Sequence, residues 1–218
     1  MTDTVVAVAW FVGLAGLANA LQYFFAITYQ KHWQFFVTFY LLGVPGLYFT
    51  TSLSENSSFH SVTGMLFGLV SATSFVIFMS WWGKRYRLAD MYRADTVPLP
   101  YQQLLSPNAA SALSKASEII IQDIVLLIVV SDLLAAGYSY SSTGTLFAVI
   151  VFLLHIPSPI ILGRIYGSIL MVLATFFAAF IPVIIGELVL GFYFVFAFHL
   201  LVYMLLLVWS RWMQKKQI

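Results

Sequence analysis

Residues 187–209 read ELVLGFYFVFAFHLLVYMLLLVW, and Glu187 and His199 are the only acidic or basic residues among them. The hydrocarbon core of a bilayer is about 30 Å thick, and roughly 20 apolar residues in an α-helix cross it. The stretch meets that length with aliphatic and aromatic side chains on all faces. It therefore predicts a membrane-spanning helix that contains one imidazole in need of a polar partner.

The same pattern recurs along the whole chain. Apolar segments of spanning length occur at 4–29, 35–53, 62–82, 118–138, 144–162, 164–184 and 187–209. We therefore expect an all-α, polytopic membrane protein of about seven transmembrane helices, with residues 1–218 forming a single transmembrane domain. The residues that precede the first segment lack the basic region of a cleavable signal peptide, so we expect the first helix to be retained.

The composition agrees with this class of protein. Of the 218 residues, 61% are hydrophobic and only 8% are charged, whereas soluble domains have roughly a quarter charged residues. The absence of cysteine excludes disulfides, thiolate metal sites and cysteine nucleophiles. A net charge of +2 gives no reason to expect a nucleic-acid partner, so the lipid bilayer is the first partner that the sequence predicts.

The positions of the basic residues predict the orientation, because Lys and Arg are retained on the cytoplasmic side during insertion. If the N-terminus is outside, all ten basic residues fall on the cytoplasmic side. They are Lys31, Lys84, Arg85, Arg87, Arg93, Lys115, Arg164, Arg211, Lys215 and Lys216. We therefore expect a cell-membrane protein with the N-terminus outside, the C-terminus in the cytoplasm and a long cytoplasmic loop at 83–117.

Local signals refine the helices. Ser106 followed by Pro107 is a good helix start, with Ser as N-cap and Pro in the first turn. Pro157 and Pro159 predict a bent fifth helix just beyond His155, since neither can donate a backbone hydrogen bond. Gly64-x-x-x-Gly68 in the third segment is typical of close helix packing in membranes.

Ionisable side chains inside a bilayer are costly, so they are the first candidates for a functional site. Four lie within the predicted spans: Asp123, Asp132, His155 and His199. Glu118 lies at the cytoplasmic edge of helix 4, and it shares one helical stripe with Gln122 and Asp132, whereas Asp123 points about 140° away and needs a different neighbour.

Some of these residues are expected to lie at a similar depth in the membrane. At 1.5 Å per residue, His155 lies about 10 Å and His199 about 15 Å below the cytoplasmic ends of their helices. Glu118 and Gln122 enter from the same side. We therefore expect Glu118, Gln122, His155 and His199 to converge in the cytoplasmic half of helices 4, 5 and 7.

The order of these elements resembles the CPBP family of intramembrane proteases, also called the Abi family, which includes the type II CAAX prenyl endopeptidases. That family has an EExxxR motif on one helix, FxxxH on the next and, after an intervening helix, HxxxN or HxxxD. The corresponding places here are Ser117-Glu118-xxx-Gln122, His155 and His199-xxx-Tyr203. The resemblance covers roughly residues 107–209.

The resemblance implies a metal-independent, glutamate-dependent peptidase without a cofactor, acting on a membrane-embedded or lipidated peptide. The matching positions would make Glu118 the general base, assisted by His155, His199, Tyr203 and Gln122. Several positions depart from the family pattern. Ser117 replaces the first glutamate, Gln122 the arginine and Tyr203 the final Asn or Asp, so the motif also describes a degenerate, non-proteolytic relative.

Other interpretations stay open. Each histidine can be an interhelical hydrogen-bond partner, and Glu118 can be an interfacial anchor. The chain can then be a non-enzymatic transporter or a subunit that binds another membrane protein. A b-type haem held by His155 and His199 is a further alternative.

The orientation is tested by single cysteines introduced into this cysteine-free chain. Ser57→Cys and Ser141→Cys should react with a membrane-impermeant thiol reagent added outside intact cells, and Asn108→Cys should react only after the membrane is opened. Labelling of Asn108→Cys alone in intact cells would reverse the predicted orientation.

Overall fold

The computed structural model describes residues 2–25, 27–51, 53, 60–86, 107–156, 164–188 and 190–215. Within these ranges the chain forms seven α-helices and no β-strand. The helices are α1 (Thr2–Phe25), α2 (Trp33–Thr50), α3 (Val62–Arg85), α4 (Ala109–Ala135), α5 (Tyr140–His155), α6 (Arg164–Glu187) and α7 (Gly191–Lys215). The predicted all-α class is confirmed for the part of the chain described.

Helices α3, α4 and α7 extend into polar residues beyond the predicted apolar segments, whereas α1 and α2 end three or four residues earlier than predicted. Helix α4 begins at Ala109, two residues from the start that the Ser106-Pro107 signal predicts and nine residues before the apolar segment that begins at residue 118. Its N-cap is Asn108 instead of the predicted Ser106, and Pro107 lies outside the helix. The Asn108 side chain accepts from the Ser111 amide, and the Ser111 hydroxyl accepts from the Asn108 amide. This reciprocal capping box satisfies two backbone donors, which explains why the helix starts there.

The predicted bend in helix 5 lies outside the described residues. Helix α5 ends at His155, and Pro157 and Pro159 fall in the undescribed segment that follows. The N-terminal end of α5 is capped by Ser139, whose hydroxyl accepts from the Ser142 amide.

Helix α4 is the centre of the bundle. It packs against all six other helices, and its apolar residues on several faces are completely buried, including Ile119, Ile121 and Leu127. The C-terminal end of α4 is hydrogen-bonded to the start of α1. There the backbone amide and the hydroxyl of Thr4 both donate to the Asp132 carboxylate, at 3.0 and 2.8 Å. The outer helices expose many apolar side chains instead, as expected of a protein that faces lipid.

Contacts between α4 and α7 show that these two helices run in opposite directions. Lys115, near the start of α4, meets Tyr203 in the second half of α7, whereas Asp123 meets His199 one turn earlier in α7. Likewise, α1 and α2 are antiparallel, because a Cβ at Gly43 or Gly46 would touch Leu14 or Trp10.

Helix α3 runs parallel to α7. Gly64 faces Tyr193 at the beginnings of the two helices, and Gly68 faces the Tyr193 and Phe196 rings about one turn further along. A parallel arrangement of helices three and seven is what a chain that alternates direction at every helix produces.

Four helical segments are long and apolar enough to cross a membrane, which indicates a membrane protein. They are Asp3–Gln22, Val62–Arg85, Gly167–Glu187 and Gly191–Trp209. Helix α4 is not among them, and it carries Lys115, Glu118, Asp123 and Asp132. Because α4 is surrounded by the other helices, its charged groups can be satisfied by protein instead of being exposed to lipid.

The close contact between α3 and α7 predicts the effect of one methyl group. Gly64→Ala should lower the free energy of unfolding by about 1–3 kcal/mol, because the new Cβ would overlap the Tyr193 ring. Gly13→Ala in α1 is the matched control, since no atom lies within 4 Å of its added Cβ. Thermal unfolding in detergent should therefore show a lower midpoint for Gly64→Ala and an unchanged or higher one for Gly13→Ala; equal midpoints would contradict the α3–α7 contact.

Candidate functional site

Polar side chains leave α4 on two faces, and each face meets a different set of helices. Glu118 points toward the junction of α1 and α2, and Asp123 points toward α7. The difference in direction follows from helical geometry, because five residues at 100° each separate the two side chains by about 140°. The site therefore consists of two clusters, one on either side of α4.

In the first cluster, both oxygens of the Glu118 carboxylate have partners in the protein. The Tyr29 hydroxyl donates to Oε2 at 2.7 Å, and the Gln122 amide donates to Oε1 at 2.9 Å. The Lys115 ammonium lies 3.0 Å from the same Oε1. The Lys115 and Glu118 side chains are only 10% and 14% exposed, so this is a largely buried ion pair within one turn of helix.

The first cluster extends to α2. The hydroxyl oxygens of Tyr29 and Tyr40 are 3.0 Å apart, and both residues are buried. Because the Tyr29 hydroxyl donates its hydrogen bond to Glu118, the Tyr40 hydroxyl is the donor in the bond between the two tyrosines. The connection after α1, the middle of α2 and the start of α4 are thereby joined by one chain of hydrogen bonds.

In the second cluster, Nδ1 of His199 forms a 3.0 Å hydrogen bond with Oδ1 of Asp123. The Asp123 side chain is completely buried and that of His199 is 18% exposed. The other carboxylate oxygen of Asp123 has no hydrogen-bond partner among the described residues. Phe177 and Tyr203 pack against the imidazole, with ring centroids 5.7 and 5.8 Å away.

Tyr203 connects the two clusters. Its ring stacks on His199 on one side, and the Lys115 ammonium lies 4.9 Å from its centroid. A cation placed over an aromatic face is attracted by the ring quadrupole. The network therefore runs from α2 through α4 to α7.

His155 does not join either cluster among the described residues. Its Nδ1 lies 2.8 Å from the backbone carbonyl of Val151, one turn earlier in α5, and within the described part of the chain no hydrogen bond or ring contact links it to Glu118 or His199. The sequence predicted that Glu118, His155 and His199 would converge. In the structure, Glu118 and Gln122 are bonded together, His199 and Tyr203 are stacked together, and His199 is bonded to Asp123 instead of Glu118.

Three members of the network were not among the candidate residues, namely Tyr29, Tyr40 and Lys115, and Asp123 was a candidate that was not expected in the convergent cluster. Lys115 precedes Glu118 by three residues, and that spacing places the two side chains on one face, which sequence could have indicated. The tyrosines give no such signal, since tyrosine is common in the apolar helices of this chain. Asp123 was noted as needing a separate neighbour, but its partner depends on how α7 packs.

This arrangement limits the chemistry that the site can perform. A general base must reach the proton that it removes, directly or through one water. Both oxygens of Glu118 are occupied by protein donors, and the adjacent Lys115 neutralises its charge. Among the described residues, no three His, Cys, Asp or Glu side chains are grouped so that they could hold a metal ion. The two histidines have different hydrogen-bond partners, because His155 bonds to Val151 of its own helix and His199 bonds to Asp123 of α4.

Comparison with protein-family models, with curated proteins and with solved structures gives no match for this chain. The resemblance to the CPBP family therefore stays a prediction from motif order and spacing.

The two histidines provide a matched test of the second cluster. His199→Phe should lower the free energy of unfolding by about 3 kcal/mol, because it leaves the buried Asp123 carboxylate without its partner. His155→Phe should change it by no more than about 0.5 kcal/mol, because His155 bonds only to its own helix.

The double variant Asp123→Leu/His199→Phe completes the cycle. Its unfolding midpoint in detergent should exceed that of His199→Phe alone, since both polar groups are then gone. If His199→Phe and His155→Phe unfold at the same temperature, the Asp123–His199 contact does not stabilise the bundle.

Proposed function

We propose that this chain is a non-proteolytic membrane protein with the helix order of the CPBP family, serving as a subunit that binds another membrane protein. In this proposal all seven helices cross the membrane of the cell, with the N-terminus outside and the C-terminus in the cytoplasm. The observation that carries the proposal is the occupied Glu118 carboxylate, which bonds to Tyr29, Gln122 and Lys115.

The alternating helix directions support the seven-span topology. They place the end of α3, the start of α4 and the end of α7 at one end of the bundle, which we call the basic end. In the described residues, every Lys and Arg lies at this end: Lys31, Lys84, Arg85, Lys115, Arg164, Arg211 and Lys215. Such an asymmetry is expected if the basic end faces the cytoplasm.

The bonding of Glu118 supports a role other than peptide hydrolysis. In the family, a glutamate pair is thought to activate water with the help of histidine. Here Ser117 replaces the first glutamate and bonds to backbone carbonyls of its own helix, and Lys115 holds the remaining carboxylate. A carboxylate that is paired with an ammonium and hydrogen-bonded through both oxygens is poorly placed to accept a proton from water.

The same network favours a partner-binding subunit over a transporter. Residues that line a transport pathway must offer polar atoms to a passing solute or ion. The polar atoms around Glu118 bond to one another and tie helices together. The exposed face of α1 includes Gly13 and Gly16, and small residues of this kind allow membrane helices to associate closely.

The proposal predicts that Glu118 supports stability, not catalysis. Glu118→Gln should lower the free energy of unfolding by about 3 kcal/mol, because Lys115 stays buried without a counter-charge. Glu187→Gln is the matched control, since it makes the same chemical change at an exposed helix end and should cost no more than about 0.5 kcal/mol. The measurement is thermal or denaturant unfolding of the purified chain in detergent.

A catalytic glutamate would behave in the opposite way. Removal of a catalytic polar group commonly leaves stability unchanged or raises it, because active sites are built at the expense of stability. The same proteins should therefore be incubated with prenylated and transmembrane peptides. Cleavage by the wild-type chain that disappears in a stably folded Glu118→Gln variant would overturn the non-proteolytic proposal.

A further inference from the structure

The basic end of the bundle carries an aromatic surface on α3 and α7. Four of the six tryptophans of the chain lie near the C-terminal ends of α3 and α7: Trp81, Trp82, Trp209 and Trp212. Three of them remain exposed in the bundle, Trp81 by 52%, Trp209 by 41% and Trp212 by 47%. Exposed tryptophans collect at the depth of lipid headgroups, where the ring is apolar and the indole N–H finds polar partners.

Two exposed cations follow the tryptophans of α3 directly. Lys84 and Arg85 form the last turn of the helix, and both side chains are exposed. Helix α3 has 24 residues and is about 36 Å long, so it exceeds the roughly 30 Å hydrocarbon core. When α3 crosses a membrane, its last turn therefore lies among the headgroups.

The end of α3 packs closely against the start of α4. Gly83 lies so close to the carbonyl group of Pro107 that a Cβ would overlap it, which fixes the last turn of α3 against the start of α4. Trp82 is buried, and its ring packs against those of Tyr86 and Phe78 at 4.5 and 5.6 Å. The backbone that carries Lys84 and Arg85 is therefore packed against the start of α4, so binding of a ligand orders mainly their side chains.

We propose that Trp81, Lys84 and Arg85 form a binding site for the headgroup of an anionic phospholipid. Lys84 and Arg85 pair with the phosphate, and Trp81 packs beside the glycerol backbone and the upper acyl chain. Charge complementarity selects an anionic lipid, and the exposed indole at the end of a spanning helix selects a lipid over a soluble anion. This inference rests on α3 crossing the membrane and does not depend on whether the protein cleaves peptides.

The site can be tested on the full chain by native mass spectrometry from detergent. The protein is mixed with equal amounts of phosphatidylglycerol and phosphatidylcholine, whose headgroups differ in net charge. The wild-type chain should retain phosphatidylglycerol preferentially, and Lys84→Gln/Arg85→Gln should lose about tenfold or more of that affinity. Inorganic phosphate added in excess over the lipid should not displace phosphatidylglycerol. Displacement would identify a phosphate site instead of a lipid site.

Two controls separate a specific site from general attraction. Lys31→Gln removes an exposed cation from the same end of the bundle and should keep the preference. Lys84→Arg/Arg85→Lys retains both charges and should also keep most of it. The proposal is overturned if the wild-type chain binds the two lipids equally, if the double Gln variant keeps its preference, or if Lys31→Gln loses as much as Lys84→Gln alone.

Discussion

The fold depends on the satisfaction of charged groups on a helix that has no access to bulk water along most of its length. Helix α4 touches every other helix, and it carries two carboxylates and an ammonium at largely or fully buried positions. A buried charge without a partner costs several kcal/mol, so each of these groups restricts how its neighbours can pack. Glu118 fixes Tyr29 and Lys115, and Asp123 fixes His199. Substitution of one partner is therefore expected to loosen helix packing well beyond the altered residue.

Sequence was sufficient for the helical class because the requirement for apolar length is local. The starts of helices were less predictable, because several neighbouring residues can serve as N-caps. Asn108, and not the predicted Ser106, caps α4 through its bond with Ser111. The predicted site was only partly assembled. Glu118 and Gln122 meet because they lie one turn apart in one helix, and the same applies to His199 and Tyr203. The pairing of Asp123 with His199 depends on the rotation of α7 about its own axis, which residue spacing does not determine.

The two ends of the bundle differ in the charged and aromatic residues that they carry. At the basic end, cations and exposed tryptophans lie at the termini of α3 and α7, whereas the opposite end holds Asp132 bonded to Thr4. The buried network extends along α4 from Lys115, near the basic end, to Asp123 at the middle of the helix. Lys115 takes part in both features, because it belongs to the basic end and neutralises Glu118 inside the bundle.

The central claim is that Glu118 is a structural group held by an ion pair and hydrogen bonds, and not a base that activates water. The reactivity of the Glu118 carboxyl group toward a carbodiimide tests this claim directly. A membrane-permeant carbodiimide modifies protonated carboxyl groups that it can reach, and peptide mass spectrometry locates the modified residue. In the folded chain at neutral pH, Glu118 should stay unmodified, and it should react once the protein is unfolded. Rapid and selective modification of Glu118 in the folded protein would show an accessible, proton-accepting carboxyl group and would contradict the claim.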